Sequence, residues 1–343
     1  ITSFGSTEAI EIEARRVREM HKRVTGSYQD KSGAQSLYSA SDPRYLLWVH
    51  CAFTDAFLKS SFTDGKFIEG FTPGKADYGF TLEGILQRVA LGESKASLAP
   101  AVTYNLENAA LSGDASSRSG FLFDAKGNLK LGLAGKWLFT SAAAKANNLK
   151  LRKAIQGILE SKIDNTGDLA PDTKANTYDR AWAVLGLEAN GEKELSLAVA
   201  LNMAGHQVKD GGFNDGWTLG SGSPDGSGIV LQALASVKNL ANKAQQVKLS
   251  KIISSTVAYL KATLVGGDHY ESYGDYNING TEYAAMGLTA VGKPNAAIKA
   301  FIASKLATDG GIQSPWSGGA GDTYATAQGA AALLGKSYLD LVK

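Results

Sequence analysis

The chain of 343 residues can form one large domain or two smaller ones, and its 44% hydrophobic and 20% charged residues are ordinary for a globular protein. A net charge of +2 gives no global pull toward nucleic acid or a strongly anionic surface. The single cysteine, Cys51, excludes an intramolecular disulfide and a cysteine-rich zinc site, and no run of about 18 apolar residues offers a membrane-spanning helix.

From the N-terminus, residues 11–24 read as a strongly charged helix with Arg15, Arg16, Arg18, Glu19 and His21 in close succession. A polar loop follows, then a second helix over Leu46–Leu58. Ser41 or Asp42 can cap that helix, and Pro43 suits its first turn, where the missing N–H has no partner to lose. Arginine then becomes scarce. Arg15, Arg16, Arg18, Arg23 and Arg44 fall in residues 1–62, whereas all of residues 63–343 hold only Arg88, Arg118, Arg152 and Arg180. Residues 1–62 are therefore expected to be a separate helical segment.

Beyond that point one unit recurs: an amphipathic helix, a glycine-rich turn, a polar loop, then a helix of small residues ending near glycine. The clearest turns are Asp210-Gly211-Gly212-Phe213 and Asp309-Gly310-Gly311-Ile312. Second helices are predicted to start near Asp77, Leu131, Tyr178, Asp225, Gly280 and Asp322, a spacing that fits helical repeats. They are rich in Ala, Gly, Leu and Val on nearly all faces, which marks buried helices. The helices before them carry apolar residues at i, i+3 and i+4, as in Ile155, Ile158 and Leu159. Six such pairs bury both faces best by closing on themselves, because an open stack needs polar end caps. The expected fold is all-α, an (α/α)6 toroid of six outer–inner helix pairs over residues 63–343, preceded by the N-terminal helical segment.

The DGGF-type turns and the D-x-x-x-T-A-x-A-L flavour of the inner helices resemble the prenyltransferase/squalene-cyclase repeat family, the terpenoid-cyclase-like toroids. That resemblance implies a site in the central cavity near the N-termini of the inner helices. It also implies motifs that do not occur here: a D-x-D-D proton donor, a Cys/His zinc set and a GCGEQ thioester. Separately, RRVREMHKRVTG followed by YSASDPRYLLWVHCAFTDAFL resembles the start of the MpaB/latex-clearing-type oxygenase domain. This second resemblance implies haem iron and cleavage of carbon–carbon double bonds, with His21 and His50 at family positions.

Polar groups gather where the toroid resemblance puts a site. The candidates at the cavity mouth are Asp77, Tyr78, Tyr178, Asp179, Asp225, Glu282, Asp322 and Tyr324, with Trp217 and Trp316 on the loops. Helix capping is the expected role of Asp77, Asp225 and Asp322, and Asp179 is expected to pair with Arg180. Most of the loop aromatics are expected to plug loops onto the toroid's end. Asp275, Asn277 and Asn279 match half of a calcium loop, but Met286 stands where its last glutamate belongs. No catalytic residue, metal or cofactor is assigned. The expectation is a non-catalytic toroid, extracellular or in the cell envelope, binding a protein partner or a hydrophobic small molecule. A membrane-associated complex is compatible with this, and nucleic acid is not an expected partner. The alternatives are a terpenoid- or glycan-processing enzyme using cavity carboxylates, and a haem-dependent oxygenase fragment.

Overall fold

The structure, a computed structural model, describes Glu19 and residues 22–29, 33–39, 43–108, 121–124, 126–169, 175–216 and 220–343. The chain divides into two compact units, residues 1–53 and 54–343. In the first, β1 (Thr25–Gln29) and β2 (Gln35–Ser39) pair antiparallel, with Thr25 opposite Ser39. The stretch expected to be a polar loop is thus a hairpin; strands this short and polar lack the alternation that would separate them from a loop. The charged helix expected over residues 11–24 lies mainly outside the described residues, as do His21 and the side chain of His50. Helix α1 (Pro43–Ser60) opens on the proline expected in its first turn and runs on into the second unit. Among the described residues no helix is long and apolar enough to cross a membrane.

Two short hairpins, β3 (Phe62–Thr63) with β4 (Phe67–Ile68) and β5 (Glu271–Ser272) with β6 (Asp275–Tyr276), lie in the second unit. The other named elements of that unit, among the described residues, are helices. Its outer members are the end of α1, then α3 (Lys95–Val102), α5 (Leu149–Glu160), α7 (Lys193–Met203), α9 (Lys243–Ala262) and α11 (Ala296–Ser304). Its inner members are α2 (Tyr78–Ala90), α4 (Leu131–Ala143), α6 (Thr177–Ala189), α8 (Pro224–Val237), α10 (Ile278–Ala290) and α12 (Thr323–Leu333). Each inner helix packs on the next, and α12 packs back on α2, so the ring is closed. Gln87 of α2 clamps the closure: its amide donates to the Gln328 carbonyl at 3.1 Å and its oxygen accepts from the Ala331 N–H at 2.7 Å.

The burial follows the periodicity. On α5, Ile155 and Leu159 are buried while Lys150 and Lys153 are exposed. The inner helices are buried along most of their length, and each large apolar side chain so buried stabilises the fold by roughly 1.5–3 kcal/mol. Close packing depends on glycine. Gly135 of α4 faces the Trp182 backbone and Gly186 of α6 faces the Gly135 carbonyl; Gly228 and Gly287 repeat this between α8 and α10. A Cβ at any of these four positions would collide with backbone.

The recurring D-x-x-x-T pattern is a structural device. Asp77, Asn277 and Asp322 each cap an inner helix, and Ser223 does so for α8. Four residues on, Thr81, Thr281, Thr326 and Ser227 use their hydroxyls to hold the incoming loop. They accept from the backbone N–H of Ile68, Tyr270, Ile312 and Phe213 at 2.8–3.2 Å. After α12, a short 3₁₀ turn, Tyr338–Leu341, inserts Tyr338 among α2, α8 and α10. Its ring is fully buried against Phe139, Trp182 and Tyr283.

Candidate functional site

One repeat position builds the axis of the ring. The sixth residues of α2, α4, α6, α10 and α12 are Glu83, Lys136, Trp182, Tyr283 and Gln328. All five line one cavity of about 350 Å³. Nearer the helix starts, Gly132, Leu133, Tyr178, Asp179, Asp225 and Asn279 complete its wall. Tyr338 packs against Trp182 and Tyr283 on the far side, which makes the cavity a cup opening toward the N-termini of the inner helices.

Glu83 is the hub. Its Oε1 accepts from Lys136 Nζ and from the Tyr283 hydroxyl at 2.8 Å, and its Oε2 accepts from the Gln328 amide. Gln328 Oε1 in turn accepts from Asn279 Nδ2 at 2.5 Å. Lys136 also lies over the Trp182 ring, 5.1 Å from its centre. A buried carboxylate is costly unless donors replace its water, and these donors do so. Burial and then the Glu83 charge hold the Tyr283 phenol well above its ordinary pKa, so it stays a donor. Burial and then the Asp225 charge do the same for Tyr178.

The carboxylates of the wall differ. Asp179 Oδ1 accepts from the Gly132 N–H at 3.0 Å and its Oδ2 from the Asn176 N–H at 2.9 Å. It thereby serves α4, whose own cap residue, Lys130, makes no side-chain cap. The expected Asp179–Arg180 pair does not form: Arg180 pairs with Asp168 at 2.8 Å, because Asp179 is already held by backbone amides. Asp225 was expected to cap α8, but Ser223 occupies that role. Asp225 instead faces the cup beside the Tyr178 hydroxyl and accepts at 3.2 Å from Gly226 N–H, the next residue.

The other candidates part from the cup. Asp77 accepts from Phe80 N–H at 2.9 Å and Asp322 from Tyr324 N–H at 2.8 Å, both as caps. Tyr78 packs edge-on against Phe121, with ring centres 4.1 Å apart. Tyr324 stacks near Phe80 and donates to the Glu69 carbonyl at 3.1 Å. Glu282 does not reach the mouth. It is fully buried against Gly329, with no partner for either oxygen among the described residues. The loop aromatics divide: Phe213 and Tyr270 are buried plugs, whereas Tyr273 and Trp316 stand in solvent. Trp217 lies outside the described residues.

Of the half calcium loop, Asn277 caps α10 and Asn279 faces the cup. Among the described residues no group of three or more His, Cys, Asp or Glu side chains could hold a metal ion. Four residues of the cup, Glu83, Lys136, Trp182 and Gln328, were missed by sequence reasoning. For three of them a signal was present: Glu83, Lys136 and Gln328 are polar or charged at one register of largely buried helices, whereas Trp182 reads as core.

Comparison with known proteins adds two findings. The family model for the catalytic domain of the ER-bound oxygenase mpaB/B'/rubber oxygenase matches residues 1–78. A solved structure of UGL, an unsaturated glucuronyl hydrolase variant with dGlcA-Glc-Rha-Glc, is similar over 84% of this chain and 95% of its own, at 13% identity and a TM-score of 0.56. That likeness is one of fold, an α/α toroid. No curated protein matches the chain.

Proposed function

We propose that the toroid takes one sugar residue of a glycan into the axial cup and processes the glycan there, with Asp225 as the proton-exchanging group. The observation that carries this reading is the cup itself. Carboxylates, amides, an ammonium and phenols converge on a space of about 350 Å³, the size of a small ligand site. Such a lining suits a ligand with many hydroxyls and does not suit an apolar one. Asp179 is bound by two backbone amides and Glu83 by three side chains, whereas Asp225, among the described residues, meets only the N–H of the next residue, Gly226, and the Tyr178 hydroxyl, and is assigned the proton-exchanging role. Tyr178, kept protonated, gives its hydroxyl hydrogen bond to Asp225 and holds that carboxylate at the cup wall. The likeness in fold to a glucuronyl hydrolase agrees with a glycan but does not choose one.

Incubating the purified chain with dGlcA-Glc-Rha-Glc and with neutral oligosaccharides, and following products by mass spectrometry, tests this. Turnover is expected, falling about a hundredfold or more in Asp225→Asn, as for loss of a general acid–base group. Absence of both binding and turnover across saccharide classes overturns the reading. Sugar binding without turnover supports a second reading, a non-catalytic binding cup. It is favoured by one observation: glycoside hydrolysis ordinarily needs two carboxylates, and both neighbours of Asp225 are already engaged.

The oxygenase family matched by residues 1–78 implies haem. The described residues of that segment form β1, β2, α1 and the β3–β4 hairpin, and they line none of the cavities above.

A further inference from the structure

Every aromatic side chain standing largely in solvent among the described residues of the toroid lies on a loop that leads into an inner helix. Phe71 is 91% exposed before α2, Tyr273 is 98% exposed before α10, and Trp316 is 82% exposed before α12. These helices follow one another around the closed ring, and α10 places Asn279, near its start, in the wall of the cup. Large apolar rings ordinarily bury themselves, so three left bare on one arc of one face call for a ligand.

Between Tyr273 and Trp316 runs a groove of about 70 Å³, also lined by Ser272, Asp275, Asn277 and Ser314. Asn279 lines both this groove and the cup, so the two lie side by side on this residue. An aromatic face flanked by hydroxyl, amide and carboxylate groups fits a pyranose ring, which has an apolar C–H face and polar edges. The groove holds a carboxylate and no cation among its lining residues, which disfavours an anionic lipid surface.

We propose that Tyr273 and Trp316 form an outer subsite that stacks further sugar residues of a glycan whose end sits in the cup, so that the preferred ligand is a chain rather than a single sugar. This rests on the glycan reading of the cup.

The test is calorimetric titration of the full chain with glucose-, N-acetylglucosamine- and uronate-based ladders, from single sugars to hexasaccharides. Wild type, Trp316→Ala, Tyr273→Ala and Asp225→Asn are compared. Affinity should rise with chain length in wild type. Each aromatic variant, altered only at an exposed side chain, should bind long chains about tenfold more weakly and single sugars unchanged. Long-chain affinity equal to wild type in both aromatic variants, with single sugars still bound, overturns the outer subsite and leaves the cup. Long-chain binding that depends on Trp316, with no single sugar bound by wild type, overturns the cup and leaves the subsite. Failure of wild type to bind any ladder overturns both. Co-sedimentation with phosphatidylcholine–phosphatidylglycerol vesicles that is lost in Trp316→Ala assigns the aromatics to a lipid surface and also overturns the proposal.

Discussion

Glu83 and Glu282 are both buried on inner helices, yet their surroundings are opposite. Glu83 receives Lys136, Tyr283 and Gln328, while among the described residues Glu282 receives no donor and packs on Gly329. The difference separates a site from a packing element. Where donors replace water, a buried carboxyl is satisfied and can organise a cup. Where none do, the group holds a proton instead. Burial above all, then the charges of Asp322 and Glu83, push the Glu282 carboxyl well above its ordinary value of 4.5. The comparison also explains why Glu282, which looked in sequence like a cavity ligand, contributes nothing to the mouth.

Breaking the partnered carboxylate should have the largest effect. Glu83→Ala strands Lys136 beside a buried gap, and a loss of about 3–5 kcal/mol is expected, read as a lower urea midpoint. Glu83→Leu combined with Lys136→Met removes both charges and should recover most of that stability while abolishing sugar binding. A double variant as unstable as the single one would break the account of Glu83 as a charge held by its partners.

The orphan carboxyl predicts the opposite sign. Glu282→Met removes two unpartnered oxygens at similar volume, and a gain of about 1–3 kcal/mol is expected. Its pH dependence sharpens the point. Below 4.5 the carboxyl is protonated in both states; above it, the unfolded chain ionises while the folded one does not. Wild-type stability from this group therefore falls as pH rises from 4.5 toward the raised folded value, and the advantage of Glu282→Met should grow over the same window. Melting temperatures of the two proteins measured from about pH 4 to pH 8 check this. A constant difference would place an ionised Glu282 in the fold.

The contrast between the two glutamates also marks how far the sequence could be read. The ring was legible because its punctuation is local: cap residues, glycine turns and the hydroxyl four positions after each cap all fall within one repeat. The inner helices start within about two residues of where those signals put them, as normal boundary scatter allows. The β1–β2 hairpin was not legible, since its strands are short and polar. Nor was the cup. Capping is visible in one stretch of chain, whereas Glu83 finds Tyr283 and Gln328 some two hundred residues away, through closure of the ring. Asp179 shows the same limit, because its task of satisfying the bare start of α4 belongs to a neighbouring repeat.

The smallest stability effect carries the finest distinction, between a cap and a cup carboxylate at the same end of the inner helices. Asp322 accepts from Tyr324 and Ala325 N–H, so Asp322→Ala should lower stability by about 1 kcal/mol. Its sugar binding should stay intact, because Asp322 does not line the cup. Asp225 leaves the capping of α8 to Ser223, so Asp225→Asn should hold stability within about 0.5 kcal/mol. Function should respond the other way, with turnover lost in Asp225→Asn and kept in Asp322→Ala. Thermal unfolding and product formation measured on both variants read the two columns of this contrast separately. If Asp225→Asn destabilises as much as Asp322→Ala and leaves turnover untouched, Asp225 is another cap, and the cup has no carboxylate free to act.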